Sequence, residues 1–261
     1  MDLWHNLSTI AHQLRTHHGP LLLLLDFDGT LAPIVPTPEK AALSLATKHV
    51  LQQLVRKNGL YVTILSGRQL PFLQKKVPIP GVLYVGNHGL EEEIFGKKIS
   101  FALSKEQKTH FMQVKKDLKS IAAYPGVLYE DKNLVVTLNY QNVAAQNVHH
   151  IRDLFAQTMQ KYDHLFSVLP EKKSFEIKPT DKVNKGTAAC ELIEKIKEKT
   201  QKIPLVIALG DDITDEDTFK KLDQNAITVH VGPGKTTARY VVENVDAVFR
   251  FLLWLEKNLS G

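Results

Sequence analysis

Five consecutive leucines followed by two carboxylates constrain this chain more than any other feature. Leu21 to Leu25 run without a polar break and lead into Asp26-Phe-Asp28-Gly-Thr. A short continuous apolar run bounded by turn residues is typical of a strand buried on both faces, as in a parallel sheet. Side chains alternate along a strand, so Asp26 and Asp28 point to the same side. Because open parallel sheets bind ligands beyond the carboxyl ends of their strands, we expect these carboxylates to lie at a ligand site.

The two carboxylates call for a nearby positive charge. Held this close they repel each other, and burial adds to the cost of the charged forms. Mg²⁺ relieves both effects, and it is usually held by one or two carboxylates together with substrate phosphate. The alternative is that one aspartate caps a helix while the other is solvated, which suits a lone aspartate better than this pair. The sequence therefore predicts a Mg²⁺ site at this strand end.

The rest of the chain alternates between strand and helix patterns, except for one internal stretch. The predicted strands are 21–27, 60–65, 82–85, 205–209 and 227–231, and the predicted helices are 1–18, 41–58, 185–200 and 245–258. This order favours an α/β core with a parallel sheet. Residues 104–180 instead follow an α-β-β-α-β-β order. We therefore predict a core domain of residues 1–103 and 181–261 with a smaller α+β domain, 104–180, inserted into it.

Composition narrows the choice of partners. The net charge is +5, but the lysines are scattered and form no basic stripe with interleaved aromatics, so we expect no nucleic-acid partner. The sequence has no signal-peptide pattern and no apolar run long enough to span a bilayer, so we expect no membrane partner and a cytoplasmic location. The single cysteine, Cys190, excludes an intramolecular disulfide. We expect the chain to act as a monomer on a small anionic molecule.

Polar residues follow two further strands and begin one helix. Ser66 follows strand 60–65, where it is either a helix N-cap or a hydroxyl that holds a phosphate at a helix start. Lys185 begins helix 185–200, where the helix dipole disfavours a cation, so a second task is indicated. Asp211 and Asp212 crowd the end of strand 205–209 and again indicate a cation.

A capping box is the simplest interpretation of the acidic residues just beyond that strand. Thr214 with Asp217 three residues later matches its spacing. This interpretation leaves Asp211 and Asp212 unexplained.

The four motifs at Asp26, Ser66, Lys185 and Asp211 together resemble those of the haloacid dehalogenase superfamily of phosphotransferases, in the same order. The resemblance implies that Asp26 attacks phosphorus, that Asp28 shuttles the proton, and that Lys185 bridges the nucleophile and the phosphoryl group. It also implies a superfamily core with a parallel Rossmann-like sheet and a Mg²⁺ cofactor. The implied metal ligands are Asp26, Asp28, Asp211 and Asp215, the last of which alternatively steadies Lys185.

Several other stretches resemble the trehalose-6-phosphate phosphatase family. They include Gly86-Asn-His-Gly-Leu-Glu91, Glu130-Asp-Lys-Asn and Glu176-Ile-Lys-Pro179. The resemblance implies Mg²⁺-dependent hydrolysis of trehalose 6-phosphate through an aspartyl phosphate, with the inserted domain acting as a cap that closes over the sugar. The residues implied in substrate binding are Ser66, Gly67, Arg68, Asn87, His88, Lys132 and Glu176.

Other functions remain open at this point. Another capped phosphatase acting on sucrose phosphate or mannosyl phosphoglycerate, and a sugar-phosphate sensor without catalysis, fit the same motifs. A phosphomutase requires a second phosphate site, and no basic cluster supplies one. Gly234-Lys-Thr is not a P-loop, because the glycine that a P-loop requires five residues earlier is Val229.

Overall fold

The computed structural model describes residues 1–35, 37–170, 173–180 and 182–259. In chain order its strands are β1 Leu21–Leu25, β2 Leu60–Leu65, β3 Leu83–Gly86, β4 Glu91–Ile94, β5 Lys97–Ser100, β6 Leu128–Asp131, β7 Val136–Asn139, β8 Ser167–Pro170, β9 Ser174–Lys178, β10 Leu205–Gly210, β11 Ile227–Val231 and β12 Tyr240–Val242. Its α-helices are α1 Leu7–Thr16, α2 Leu45–Val55, α3 Leu70–Lys76, α4 Lys105–Ile121, α5 Val148–Met159, α6 Lys185–Thr200, α7 Ile213–Lys221 and α8 Val245–Asn258.

The chain divides into two compact units. One comprises Met1–Ile99 with Val183–Gly261, and the other comprises Ser100–Lys182. The boundaries predicted from sequence were 103/104 and 180/181, and residue 181 itself lies outside the described residues. The smaller unit is therefore an insertion between β5 and α6.

The larger unit contains a sheet in the order β12-β11-β10-β1-β2-β3-β4-β5. Neighbouring strands from β12 to β3 are parallel, and β4 is antiparallel to β3. The chain proceeds outward from β1 to β3 and later from β10 to β12 on the other side. The strand order thus reverses between β1 and β10, and the crevice at such a switch point is where open α/β sheets bind ligands.

The leucine run is buried on both faces, as the sequence predicts. Leu23 and Leu25 belong to a core cluster that includes residues of α1, α2 and α8. Leu22 and Leu24 belong to a second cluster, which includes residues of α6 and Phe219 of α7. Helices thus cover both faces of β1. Full burial of each leucine stabilises the fold by about 1.5–3 kcal/mol, and the run anchors the strand end that carries Asp26.

Helix ends follow the capping residues. The predicted helices 185–200 and 245–258 are confirmed at both ends, and the side chains of Asn184 and Asn244 cap their first turns by accepting from backbone N–H groups. The predicted helix 41–58 is shorter, because Ser44 caps α2 and the helix ends at Val55. In the described ranges, no helix has the length and apolar character needed to cross a bilayer.

Five elements of the larger unit have no assigned bounds in the sequence-based prediction: β4, β5, β12 and the helices α3 and α7. Three consecutive glutamates make up most of β4, and every residue of β5 is exposed. Neither strand has the alternation of apolar and polar residues that identifies a half-buried strand. Pairing with β3, rather than local pattern, places β4 in the sheet.

The smaller unit is an antiparallel sheet in the order β6-β7-β9-β8. Its own core combines apolar residues of α4, such as Phe111, and of α5, such as Phe155, with inward-facing residues of the sheet. The α-β-β-α-β-β order is as predicted. The register of β7 and β9 sets Thr137 opposite Glu176.

Candidate active site

Asp26 lies one residue beyond β1, at the point where the strand order reverses. Its backbone N–H donates to the carbonyl of Leu209 on β10 at 3.1 Å, which continues the strand pairing by one residue. Asp26 is only 5% exposed, and burial raises the pKa of its carboxyl above the ordinary value. A buried carboxylate in this place therefore needs cationic partners.

Lys185 supplies the first of these partners. Its Nζ donates to Oδ1 of Asp26 and to Oδ1 of Asp215, both at 2.9 Å, and it lies 3.9 Å from Asp212. Burial alone lowers the pKa of Lys185, but the charges of Asp215, Asp26 and Asp212 outweigh it and raise that pKa well above the ordinary value. Lys185 is thus a fixed, fully charged ammonium at the first turn of α6.

Three carboxylates converge beside this ammonium. One oxygen each from Asp26, Asp211 and Asp215 lies within 4.8 Å of the other two. Burial, followed by the charges of Asp26 and Asp212, raises the pKa of Asp211 to about 8. Lys185 therefore does not balance the negative charge of the group by itself. Three convergent oxygen donors with excess negative charge fit a hard divalent cation, so these residues form a candidate metal site.

Two glycines allow the acidic side chains to approach the backbone this closely. Gly29 has φ +76°, and a Cβ built on it would lie 2.1 Å from a carboxylate oxygen of Asp211. A Cβ at Gly210 would lie 2.1 Å from the carboxyl carbon of Asp215. A larger residue at either position would displace one of the candidate ligands.

The first turn of α7 organises the acidic residues after β10. Asp212, rather than Thr214, is the N-cap, and its side chain accepts from the backbone N–H groups of Thr214 and Asp215. Oδ2 of Asp215 accepts in return from the backbone N–H of Asp211 at 3.1 Å and of Asp212 at 3.2 Å. The predicted Thr214–Asp217 capping box is therefore wrong by two residues, and the box accounts for Asp212.

Asp28 has a different partner. Both of its carboxylate oxygens accept from Arg68, at 2.7 Å from Nε and 3.0 Å from Nη2. The group of three carboxylates found among the described residues does not contain Asp28. Its predicted place among the metal ligands has no support from this geometry, whereas its predicted proton transfer remains compatible with it.

The remaining predicted residues of the larger unit lie on two adjoining loops. Ser66 follows β2 and is buried, but the N-cap of α3 is Gln69, so of the two alternatives for Ser66 the helix cap is wrong. Asn87 and His88 have φ of 47° and 57°, and their N–H groups donate to the carbonyls of Arg68 and Ser66. The imidazole of His88 packs on Gly67, where a Cβ would lie 2.5 Å from Nε2.

Lys132 and Glu176 belong to the smaller unit. Both are buried, at 6% and 1% exposed, and Nζ of Lys132 donates to Oε2 of Glu176 at 3.0 Å. Thr137 donates to the same oxygen at 3.4 Å. The sequence prediction named these two residues as substrate-binding, and the structure pairs Lys132, just beyond β6, with Glu176 of β9.

Two buried glutamates that support the site had no role assigned from the sequence. Glu216, next to Asp215, accepts from both N–H and Oγ1 of Thr237 and from Oγ1 of Thr236. The Gly-Lys-Thr segment rejected as a P-loop is thus tied to the first turn of α7. Glu91 accepts from the N–H of Leu70 at the start of α3. Their acidic character is visible in the sequence, but their distant partners are not.

Comparison with known proteins gives consistent results. The model of the trehalose-phosphatase family matches residues 24–247. A trehalose-phosphate phosphatase of Mycobacterium marinum is 32% identical over 249 residues, which cover 91% of this chain and 62% of that protein. This chain thus spans less than two thirds of that relative.

Solved structures share the fold. The C-terminal domain of trehalose-6-phosphate phosphatase of C. albicans superposes with a TM-score of 0.80 at 25% identity, covering 97% of each chain. A haloacid dehalogenase-like hydrolase of Bacteroides thetaiotaomicron superposes with a TM-score of 0.66 at 15% identity, covering 90% of this chain and 99% of that one. The second likeness concerns the fold alone.

The family match spans β1 through the start of α8, and so includes each of the strand ends that carry Asp26, Ser66 and Asp211. The geometry and the comparisons lead to one conclusion: this chain belongs to the trehalose-phosphatase family.

Proposed function

We propose that this chain hydrolyses trehalose 6-phosphate to trehalose and phosphate, with Mg²⁺ as its cofactor. The observation that carries the proposal is the position of Lys185, whose ammonium lies 2.9 Å from both Asp26 and Asp215 beside the three convergent carboxylates. In this proposal, those residues act as a nucleophile, a fixed cation and a metal site at one edge of the sheet. Membership of the trehalose-phosphatase family supports the choice of substrate.

Asp26 is the proposed nucleophile and Asp28 the proposed acid and base. In the first step a carboxylate oxygen of Asp26 attacks phosphorus, the bond between phosphorus and the sugar oxygen breaks, and that oxygen takes a proton from Asp28. Trehalose leaves, the phosphoryl group remains on Asp26, and Asp28 is left as a carboxylate.

The second step restores both aspartates. The Asp28 carboxylate takes a proton from water as the water oxygen attacks phosphorus, and the bond from phosphorus to Asp26 breaks. Phosphate leaves, Asp26 is again a carboxylate, and Asp28 is again protonated. Lys185 favours the charged form of Asp26 and offsets charge on the phosphoryl group.

Asp26, Asp211 and Asp215 would hold the metal ion. When bound, the ion supplies positive charge that offsets the phosphoryl oxygens and the crowded carboxylates. The chemistry of three carboxylate oxygens, together with a phosphate-bearing substrate, favours Mg²⁺ over softer transition metals.

Lys132 and Glu176 are proposed to bind sugar hydroxyls. A buried ion pair is weak support for stability, because the loss of solvation offsets much of the attraction. A buried polar pair in this unit is therefore better explained by a binding task. Lys132→Met should raise KM for trehalose 6-phosphate and leave KM for 4-nitrophenyl phosphate, which has no sugar, unchanged.

A panel of sugar phosphates tests the proposed function. Phosphate release is measured from trehalose 6-phosphate, glucose 6-phosphate, sucrose 6-phosphate and mannosyl-3-phosphoglycerate, each with Mg²⁺ and with EDTA. We expect the highest kcat/KM with trehalose 6-phosphate and no turnover in EDTA.

The other outcomes each identify a different function. A higher kcat/KM with another substrate of the panel would replace the substrate assignment while keeping the phosphatase. Tight binding of trehalose 6-phosphate without phosphate release, in Mg²⁺, would identify a sensor and contradict the proposed chemistry.

A further inference from the structure

Arg68 and Asp28 form a two-pronged ion pair at the edge of the candidate site. Nε donates to Oδ2 at 2.7 Å and Nη2 to Oδ1 at 3.0 Å. The side chains are 18% and 27% exposed. Two parallel, charge-assisted hydrogen bonds fix the orientation of a carboxylate as well as its position. A single lysine could not do both.

The guanidinium is itself held in place by aromatic packing. Its Cζ lies 5.2 Å from the ring centroid of Phe72, and that ring packs edge to face against Phe27 at 5.9 Å. Phe27 is fully buried and separates the two aspartates in sequence. The arginine is therefore supported by the same segment that carries its partner.

The backbone of Arg68 is fixed on both sides. Its N–H donates to Oγ of Ser66 at 3.4 Å, and its carbonyl accepts from the N–H of Asn87 at 2.8 Å. The loop after β2 and the loop after β3 thus both hold the arginine. Such support indicates a residue whose position matters to the site.

We propose that Arg68 is a positioning residue for Asp28, and that its main task is to orient the carboxylate that exchanges the proton. This inference rests on the proposed function, because it assigns the partner of that function's acid and base. The ionised carboxylate accepts both hydrogen bonds, and this is the form that takes the proton of water in the second step. When protonated, Asp28 keeps an oxygen that accepts one of the two bonds. The same arginine therefore orients both forms.

This role differs from direct contact with the substrate, the role that the family resemblance implies for Arg68, and the part of the substrate closest to the site is its phosphate. If Arg68 acts through Asp28, its removal matters only while residue 28 can exchange a proton. If it holds phosphate, its removal weakens phosphate binding whatever stands at position 28. The two roles therefore make opposite predictions for a double variant.

Four proteins form the test: the wild type, Arg68→Gln, Asp28→Asn and the double variant. Phosphate release from trehalose 6-phosphate is measured in Mg²⁺, at high enzyme concentration for the slow variants. We expect Arg68→Gln to lower kcat about 10- to 100-fold, as misplacement of a reacting group does, and to change KM by less than about 2-fold. In the Asp28→Asn background the same change should lower kcat by less than about 3-fold.

Inorganic phosphate provides a second readout that does not need turnover. Its affinity, measured by calorimetry in Mg²⁺, should differ by less than about 3-fold between the wild type and Arg68→Gln. Lys76→Gln is the matched control, because Nζ of Lys76 also lies over the Phe72 ring, at 5.4 Å. It removes a cation from the same ring without touching Asp28, and kcat should stay at the wild-type value.

The inference is overturned if Arg68→Gln lowers kcat by the same factor in both backgrounds, or if it weakens phosphate binding 10-fold or more. Thermal unfolding of each variant shows whether a loss of activity or of phosphate binding comes from misfolding. In that case Arg68→Lys, which keeps the charge but not the two-pronged geometry, replaces glutamine in the cycle. Failure of the proposed function would instead appear as no phosphate release from trehalose 6-phosphate by the wild type, and the cycle is then run on 4-nitrophenyl phosphate.

Discussion

Replacement of Asp211 by asparagine should change how the stability of the metal-free protein depends on pH. Burial, and then the charges of Asp26 and Asp212, raise the pKa of Asp211 from 3.8 to about 8 in the folded protein. In this range the folded chain keeps a proton that the unfolded chain has lost. The free energy of unfolding therefore falls as pH rises, until the pKa of the folded state is passed.

The change in the free energy of unfolding with pH can be calculated from the single proton that Asp211 holds in the folded state. A difference of one bound proton gives a slope of about 1.4 kcal/mol per pH unit. Between pH 5 and pH 8 the wild type should lose about 2 to 4 kcal/mol through this group, the lower value because solvent screens a partly exposed side chain. Asp211→Asn lacks the titrating group, so between pH 5 and pH 8 its free energy of unfolding should rise by this amount relative to that of the wild type.

Urea denaturation in EDTA measures the effect directly. The fluorescence of the two tryptophans, Trp4 and Trp254, reports on the larger unit, and the free energy of unfolding is determined at each pH. Asp223→Asn is the control, because it removes an exposed carboxylate outside the acidic group. Its free energy of unfolding should depend on pH as that of the wild type does. Parallel curves for Asp211→Asn and the wild type would refute the reasoning. Added Mg²⁺ should remove the slope of the wild type only.

Three further predictions follow from the same geometry. Lys185→Met leaves buried carboxylates without their cation, so the free energy of unfolding, measured by urea denaturation in EDTA at neutral pH, should fall by about 3–5 kcal/mol. An unchanged value would show that the ammonium is not needed for stability. Gly29→Ala places a Cβ 2.1 Å from Asp211 and should weaken Mg²⁺ binding by calorimetry about 10-fold or more, whereas Gly59→Ala, with φ +74° but nothing within 4 Å, should not. Glu216→Gln weakens the charge-assisted hydrogen bonds to the loop after β11 and should lower stability by about 1–3 kcal/mol, so an unaltered thermal midpoint would contradict it.

The parts of the fold that the sequence predicts are those with a local cause. The unbroken leucine run, bounded by turn residues, is typical of a strand buried on both faces, and Asn184 and Asn244 mark helix starts through their own side chains. The hairpin of β4 and β5 has no such cause, because its charged residues match neither helix nor strand periodicity. Its position depends on pairing with β3, which is a tertiary contact.

The candidate site divides in the same way. The motifs predict that Asp26, Lys185, Asp211 and Asp215 share one strand-end region, because parallel strands bring their carboxyl ends to one edge. The pairing of Asp28 with Arg68 spans 40 residues and depends on side-chain directions that spacing does not encode. The cap at the start of α7 was misplaced for a related reason: both Asp212 and Thr214 suit an N-cap, and only the backbone geometry selects Asp212.

The central claim is that Asp26, beside Lys185 and a metal held by its neighbours, attacks the phosphorus of trehalose 6-phosphate. Phosphate release by the wild type and by Asp26→Asn, measured side by side in Mg²⁺, tests it most directly. The account predicts turnover by the wild type and a loss of at least about 1,000-fold in kcat for the variant, with both proteins equally folded. An Asp26→Asn protein that keeps most of the wild-type rate would contradict it.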